Sequence, residues 1–230
     1  MIESYRLLPS GGTSPLTILP DASGCLALKY TEGLLENIWL WGPMSKPRIL
    51  LPNDDAGGGE VLLIEFYPLA MRKLIRLDLN EIADLILPLR VSEPALELYL
   101  KKNLQSLSRP FDLDQVLGQC ISLSLNPQDV LSREVLQGEG KLYYSRRHIE
   151  RVFKTCSGMS PKTLKRLRRF YRFIQIRKRA KESLEESAFK LGYYDASHLI
   201  RDFKSFAGVS PSEFSQNMSG FYSEARKLLP

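Results

Sequence analysis

Between residues 16 and 67 the apolar positions come in short runs, LTILP, CLALKY, NIWLWG, RILLP and EVLLIEFYP, broken by DASG, TEG and NDDAGGG. Runs of this length, rich in β-formers and separated by Gly and Asp, predict the strands of a compact sheet or small barrel. Residues 53–59 read as a loop between two strands, and they lack the Gly-Lys-Ser/Thr ending of a phosphate loop. After Pro68 the period lengthens. LAMRKLIRL and NEIADLIL predict helices, the second capped by Asn80. SEPALELYLKKNL predicts a third, with Ser92 as N-cap, Pro94 in the first turn, and Lys101 and Lys102 at the negative end of the helix dipole. Asp84, Glu93 and Glu97 then belong to solvated helix surfaces. The stretch SLSRPFDLD, with Asp112 as a candidate cap, divides the chain into residues 1–110 and 111–230. The expected fold class is α+β: a β-rich N-terminal domain followed by an all-α domain.

The helical half contains one pattern twice. LYYSRRHIERVFKTCSGMSP, from Leu142, and GYYDASHLIRDFKSFAGVSP, from Gly192, align at an offset of fifty residues. They share Tyr143/Tyr193, Tyr144/Tyr194, His148/His198, Arg151/Arg201, Phe153/Phe203, Lys154/Lys204, Gly158/Gly208, Ser160/Ser210 and Pro161/Pro211. In each copy Ser145 or Asp195 can cap a helix whose Ile149 and Phe153, or Leu199 and Phe203, fall on one inner face. Gly158 and Gly208 end these helices as left-handed caps, and Ser-Pro opens the next. Before the second copy, Ser183 and Glu186 are spaced as a capping box for a helix burying Leu184, Ala188 and Leu191. Helix, tight turn and second helix make a helix-turn-helix, which presents its second helix to a major groove. The outward residues are Arg146, Arg147, Glu150 and Arg151 in the first copy and Ala196, Ser197, Ile200 and Arg201 in the second. The tyrosine pairs are expected to pack in the turns.

Charge sharpens this picture. Residues 1–140 hold 12 Lys+Arg against 18 Asp+Glu, whereas residues 141–230 hold 20 against 8, so the halves carry −6 and +12. Between Lys141 and Lys181 stand 15 basic residues and a single acid, Glu150. Such a concentration points to a polyanionic partner. Cys25, Cys120 and Cys156 are too far apart in sequence for a disulfide framework or a zinc motif, and the two histidines lie inside the repeats. Neither a cofactor motif nor a nucleophile with an adjacent base is visible; Cys25, in SGCLA, has none, so no enzyme is expected. MIESYRLLPSGG lacks the basic and apolar regions of an export signal, and no run is long enough to span a bilayer, which gives the expectation of a cytoplasmic protein without membrane contact.

SLEESAFKLGYYDASHLIRDFKSFAGVSPSEF resembles the signature of the AraC/XylS family of bacterial transcriptional regulators. That resemblance implies two helix-turn-helix units joined by one long helix, here PKTLKRLRRFYRFIQIRKR, with Leu164, Leu167, Tyr171 and Ile174 as its packed stripe. Its 19 residues would span roughly 28 Å, against roughly 34 Å for one turn of B-DNA. Two units could therefore read successive major-groove segments of double-stranded DNA. Arg146, Arg147, Glu150, Arg151, Ala196, Ser197 and Arg201 are the expected base readers, and Lys154, Lys165, Arg168, Arg169, Arg172, His198 and Lys204 the expected phosphate contacts. The first copy departs from the pattern. Its support segment VLQGEGKL holds Gly138 and Gly140, each costing roughly 1 kcal/mol in a helix interior, which moves the helix back to NPQDVLSREVLQ after Asn126. The alternative is an interaction protein whose degenerate first unit no longer reads DNA. LPDASGCLALKY, WLWGPMSKPRILL and LLIEFYPLAMRKLIRLDLNEIADLILPL resemble the N-terminal domain of a subgroup of AraC-like regulators, which implies effector sensing or homodimerisation there. Trp39, Trp41 and Phe66 could line an effector pocket or simply fill the core.

Overall fold

The computed structural model describes residues 2–9, 16–50, 59–66, 70–106, 113–119, 145–179, 182–217 and 221–222. Its strands are β1 (Ile2–Pro9), β2 (Leu16–Ile18), β3 (Cys25–Thr31), β4 (Leu34–Trp41), β5 (Arg48–Leu50), β6 (Glu60–Phe66), β7 (Ile86–Pro88) and β8 (Phe221–Tyr222). Five form an antiparallel sheet in the order β1-β6-β3-β4-β7, and three form a second sheet, β5-β2-β8. The β3–β4 hairpin closes through Glu32 and Gly33, both at positive φ (52° and 77°), the two-residue turn whose twist suits paired strands. Leu26 and Leu28 then face Leu40 and Ile38 on one neighbouring strand and Ile64 and Leu62 on the other. These side chains, with Tyr30, Phe66, Met71, Leu79 and Leu100, make the first core. Cys25, Ala27 and Leu63 point to the opposite face, with Trp39 and Trp41 partly buried against them. Phe66 is a core residue, and Trp41 borders a small cavity of about 20 Å³.

The helical expectations for residues 69–77 and 80–87, the second with Asn80 as cap, are corrected over the described residues 70–87. Met71–Lys73 is a single 3-10 turn, and Ile86–Pro88 is a strand on the sheet edge. Ile75, Leu79 and Ile82 are buried as a helix face would be, but the backbone between them bonds outward. Leu79 N–H donates to Thr155 O at 3.0 Å, Asp84 N–H to Pro43 O at 2.9 Å and Gly42 N–H to Leu85 O at 3.0 Å. Asp84, at φ 61°, accepts from the backbone and hydroxyl of Ser45 at 2.6 and 2.7 Å. Tertiary hydrogen bonds override the local period here. Helix α1 (Leu89–Ser92) and helix α2 (Pro94–Asn103) follow. Glu93, not Ser92, stands at the α2 N-cap, and its carboxylate accepts from Arg76 N–H at 2.6 Å. Pro94, Lys101 and Lys102 lie where expected.

Helix α3 (Leu113–Gly118) precedes the repeats, whose described helices are α4 (Arg146–Ser157), α5 (Pro161–Arg179), α6 (Leu184–Lys190), α7 (Ala196–Ala207) and α8 (Pro211–Gln216). The loop at residues 53–58, Asp112, Cys120, Tyr143, Tyr144, Gly138, Gly140 and the chain division at residue 110 lie outside the described residues. The core of the helical half is not made by that half alone. Leu19 and Ala22, 2% and 1% exposed, are sealed among Phe153, Leu167, Phe170, Tyr171 and Phe203. The buried Tyr171 hydroxyl donates to Pro20 O at 2.6 Å. Arg72 contacts Cys156 Sγ, and β8 adds in parallel to β2. Gly158, at φ 71°, would set a Cβ 2.9 Å from Leu79 O and 3.0 Å from Pro43 Cγ, so both its left-handed cap and this close approach require glycine.

Leu19→Ala should lower the stability of the full chain by about 2–5 kcal/mol, the usual cost of a leucine-sized core cavity. Urea unfolding followed by the helical circular-dichroism signal measures it; an unchanged midpoint would mean that the helical core closes without residue 19.

Candidate nucleic-acid interface

Local chemistry builds both repeats in the same way. Ser145 Oγ accepts from His148 N–H at 3.3 Å and Asp195 Oδ1 from His198 N–H at 2.6 Å, starting α4 and α7. Gly158 and Gly208, both left-handed, end them. The Ser183–Glu186 capping box opens α6, with bonds of 3.1 and 2.9 Å, and Ser210 and Glu213 repeat it at α8. The bonds from Ser183 hold the Glu186 carboxyl below the usual glutamate range, and those from Ser210 do the same for Glu213. Leu199, Phe203 and Phe206 anchor α7 on Phe170, Phe173 and Phe214, with ring centroids 4.9 to 5.5 Å apart.

Between α4 and α7 lies an open cleft of about 1310 Å³. Its floor is α5, through Lys162, Lys165, Arg166, Arg168, Arg169 and Arg172. Arg146, Ile149 and Glu150 form one wall, and His198, Arg201 and Asp202 the other. The two walls are different flanks of equivalent helices: Arg146 and Glu150 correspond to Ala196 and Ile200, not to His198 and Arg201. A two-fold axis would show the same flank twice, so the units stand head to tail. Eight cationic side chains and two carboxylates line the cleft. Burial first, and the charge of Arg172 second, lower the pKa of the Arg168 guanidinium. The floor thus holds a partly buried guanidinium beside a like charge.

Asp202 organises the α7 wall. It is 4% exposed and accepts from Arg166 Nε at 2.5 Å and Tyr193 Oη at 3.0 Å, with Arg169 Nη2 at 4.0 Å. Arg166 also donates to Ser205 Oγ at 3.0 Å, and the Arg169 guanidinium lies 4.4 Å from the Tyr193 ring centroid. Burial, then the Asp202 charge and hydrogen bond, push the Tyr193 phenol well above its ordinary value. This network bolts α7 to α5 and fixes the angle of its outward face.

The structure places the sequence-selected residues unevenly. Arg147, Arg151 and Lys154 form an exposed stripe along α4, and Ser197, Arg201 and Lys204 the matching stripe along α7. Arg146 pairs with Glu150 at 3.1 Å on the cleft side, and Arg151 Nη2 lies 3.3 Å from His148 Nδ1. Ala196 and Ile200 are half-buried on the far flank of α7. His198 packs edge-on against Tyr193, centroids 5.2 Å apart. Lys165, Arg168, Arg169 and Arg172 all reach the cleft, but Arg169 is also held by Gly192 O at 3.4 Å and by the Tyr193 ring. Ile149, expected inside, is half-buried and lines the cleft; Val152 and Cys156 are buried beside Phe153 instead. Of the second tyrosine pair only Tyr193 packs; Tyr194 is 94% exposed. Asp202 and Arg166 were absent from the sequence-selected sites, though an acid one turn after His198, where the first copy has Val152, was a visible signal.

Residues 140–217 match the helix-turn-helix domain family. No curated protein matches the chain in sequence. Among solved structures, the chain is similar to a 1.65 Å structure of ToxT from Vibrio cholerae, at 12% identity over 92% of this chain and 97% of that one, with a TM-score of 0.42. It is likewise similar to ToxT from Vibrio cholerae O395, at 13% identity over 92% and 96%, TM-score 0.39. A third similar structure is unsaturated fatty acid-bound wild-type ToxT from Vibrio cholerae strain SCE256, at 11% identity over 92% and 94%, TM-score 0.37. Among the described residues of this chain no helix is long and apolar enough to cross a membrane.

Asp202→Ala removes the carboxylate that accepts from the partly exposed Arg166 guanidinium and the buried Tyr193 hydroxyl and that lies 4.0 Å from Arg169. Allowing for that exposure, a loss of about 2–3 kcal/mol is expected in chemical denaturation, with Asp202→Asn falling in between; equal stability of both variants and the parent would remove the network from the fold.

Proposed function

We propose that the chain is a sequence-specific DNA-binding transcriptional regulator of the AraC type that reads two successive major-groove segments, a reading supported by the match of residues 140–217 to the helix-turn-helix domain family. The observation that carries this is the cleft: α4 and α7 flank it, head to tail, with a basic helix between them. A duplex laid across it would meet the Arg147–Arg151–Lys154 and Ser197–Arg201–Lys204 stripes in adjacent grooves, while its intervening phosphates face the floor. Each unit alone is a small reader. Joined through α5, docking of one makes docking of the other intramolecular and raises its effective concentration. Lys162, Lys165 and Arg172 then supply salt-dependent affinity, and the outward stripes supply selectivity. Arg166 and Arg169 are engaged with Asp202 and Tyr193 and serve chiefly to hold α7 in place.

Fluorescence anisotropy of the full chain on a selected duplex and on random-sequence DNA, across a salt series, separates these roles. Lys165→Ala should weaken both duplexes alike and reduce the salt slope by about 1. Arg201→Ala should weaken the selected duplex by about 1–3 kcal/mol and relax the preference at one position. An equal loss on both duplexes from Arg201→Ala would move that residue to the phosphates.

A further inference from the structure

The two repeats share residues that pack and end their helices, such as Phe153/Phe203 and Gly158/Gly208, and diverge at most of their outward positions. On α4 the outward and flanking positions hold Arg146, Arg147 and Glu150; on α7 the same helical places hold Ala196, Ser197 and Ile200. Only the pairs Arg151/Arg201 and Lys154/Lys204 are kept among these outward positions. Resting on the two-reader function proposed above, we infer that the units read different base chemistry: α4 a guanine-bearing block, and α7 a thymine-bearing block recognised through its methyl groups.

The geometry behind this differs for each helix. On α4, Arg147 and Arg151 are exposed one turn apart, and a guanidinium can donate twice to guanine O6 and N7. Arg146 is partly neutralised by Glu150 at 3.1 Å, which leaves Arg147 and Arg151 as the forward donors. On α7, Leu199, Phe203 and Phe206 turn inward, so Ala196 and Ile200, one turn apart and half-buried, leave an apolar ledge beside exposed Ser197 and Arg201. The thymine C5-methyl is the apolar feature that a major groove offers to such a ledge. Arg201, at the edge of the ledge, supplies one guanine contact. Because the units run head to tail and differ in what they read, the site is two unequal blocks in one direction, and the protein binds it in a single orientation.

The experiment is selection and sequencing of random duplex DNA with the full-length chain, followed by titration of the winning duplex with each thymine replaced by deoxyuridine, which removes only the methyl. Two blocks are expected, the one read by α4 rich in guanine. Deoxyuridine in the other block should weaken binding about fourfold per contacted methyl, and Ile200→Ala should abolish that sensitivity. A chain carrying Ala196→Arg, Ser197→Arg and Ile200→Glu should select the same block twice. Two blocks with no sensitivity to the thymine methyl, or an unchanged second block in the triple variant, would overturn the inference while leaving two-unit reading intact. No block, or only one, would overturn the two-reader function itself.

Discussion

The packing of Leu19, Pro20 and Ala22 behind the long helix α5 is the contact on which the rest of the arrangement depends. These residues leave the N-terminal sheet and close the aromatic core that holds α5 and α7, and the Tyr171 hydroxyl bonds back to Pro20 O at 2.6 Å. Burial, then the charges of Asp21 and Glu65, push the Tyr171 phenol well above its ordinary value, which keeps it a donor. Nearby, Leu79 N–H reaches Thr155 O at the end of α4, and Gly158 lies against Leu79 and Pro43. Both α4 and α5 are therefore gripped from the N-terminal side. The helical half is not a bead on a string: its spacing is set partly by residues more than a hundred positions earlier.

Helix α5 converts that grip into an exposed surface. Leu164, Leu167, Phe170, Tyr171, Phe173 and Ile174 occupy one side and are buried. Lys162, Lys165, Arg166, Arg168, Arg169 and Arg172 occupy the opposite side and form the cleft floor. One helix separates core from charge, so the side that meets Leu19 and Ala22 is the back of the cleft floor. The cations are also unequal. A helix this basic repels itself, and Asp202 offsets part of that repulsion by taking Arg166 and leaning toward Arg169. Charge counted along a sequence overstates what is free for a ligand, because some of it is committed to holding the scaffold.

What was legible in the sequence follows from range. Caps, capping boxes, left-handed glycines and the α5 stripe depend on residues within a turn or two, and Ser145, Ser183, Asp195, Gly158 and Gly208 all perform the roles their types suggest. The stretch from Ile75 to Leu85 misled because its apolar residues are spaced like a helix yet its peptide groups bond to Pro43, Gly42 and Thr155. Periodicity reports which side chains are buried, not which partner the backbone takes. The contribution of Leu19 and Ala22 to the distant core had no local signature at all. At the site, the cations of the cleft were legible as a cluster, but their division into floor, wall and structural anchors needed the position of Asp202. Tyr193 and Tyr194, identical in type and adjacent, separate into buried and exposed only because the chain turns between them.

The repeat itself makes a final distinction. Phe153/Phe203, Gly158/Gly208 and Ser160/Ser210 are the residues that pack, terminate or restart a helix, and the described copies use them alike. They specify a platform. At the outward positions the copies exchange Arg146, Arg147 and Glu150 for Ala196, Ser197 and Ile200, a change from charge to small and apolar surface that the cores beneath do not require. Substitutions on an exposed helix face cost the fold little, so a duplicated platform leaves its two faces free to diverge. Packing explains why the two copies share these residues, and the freedom of an exposed face explains why they can differ there.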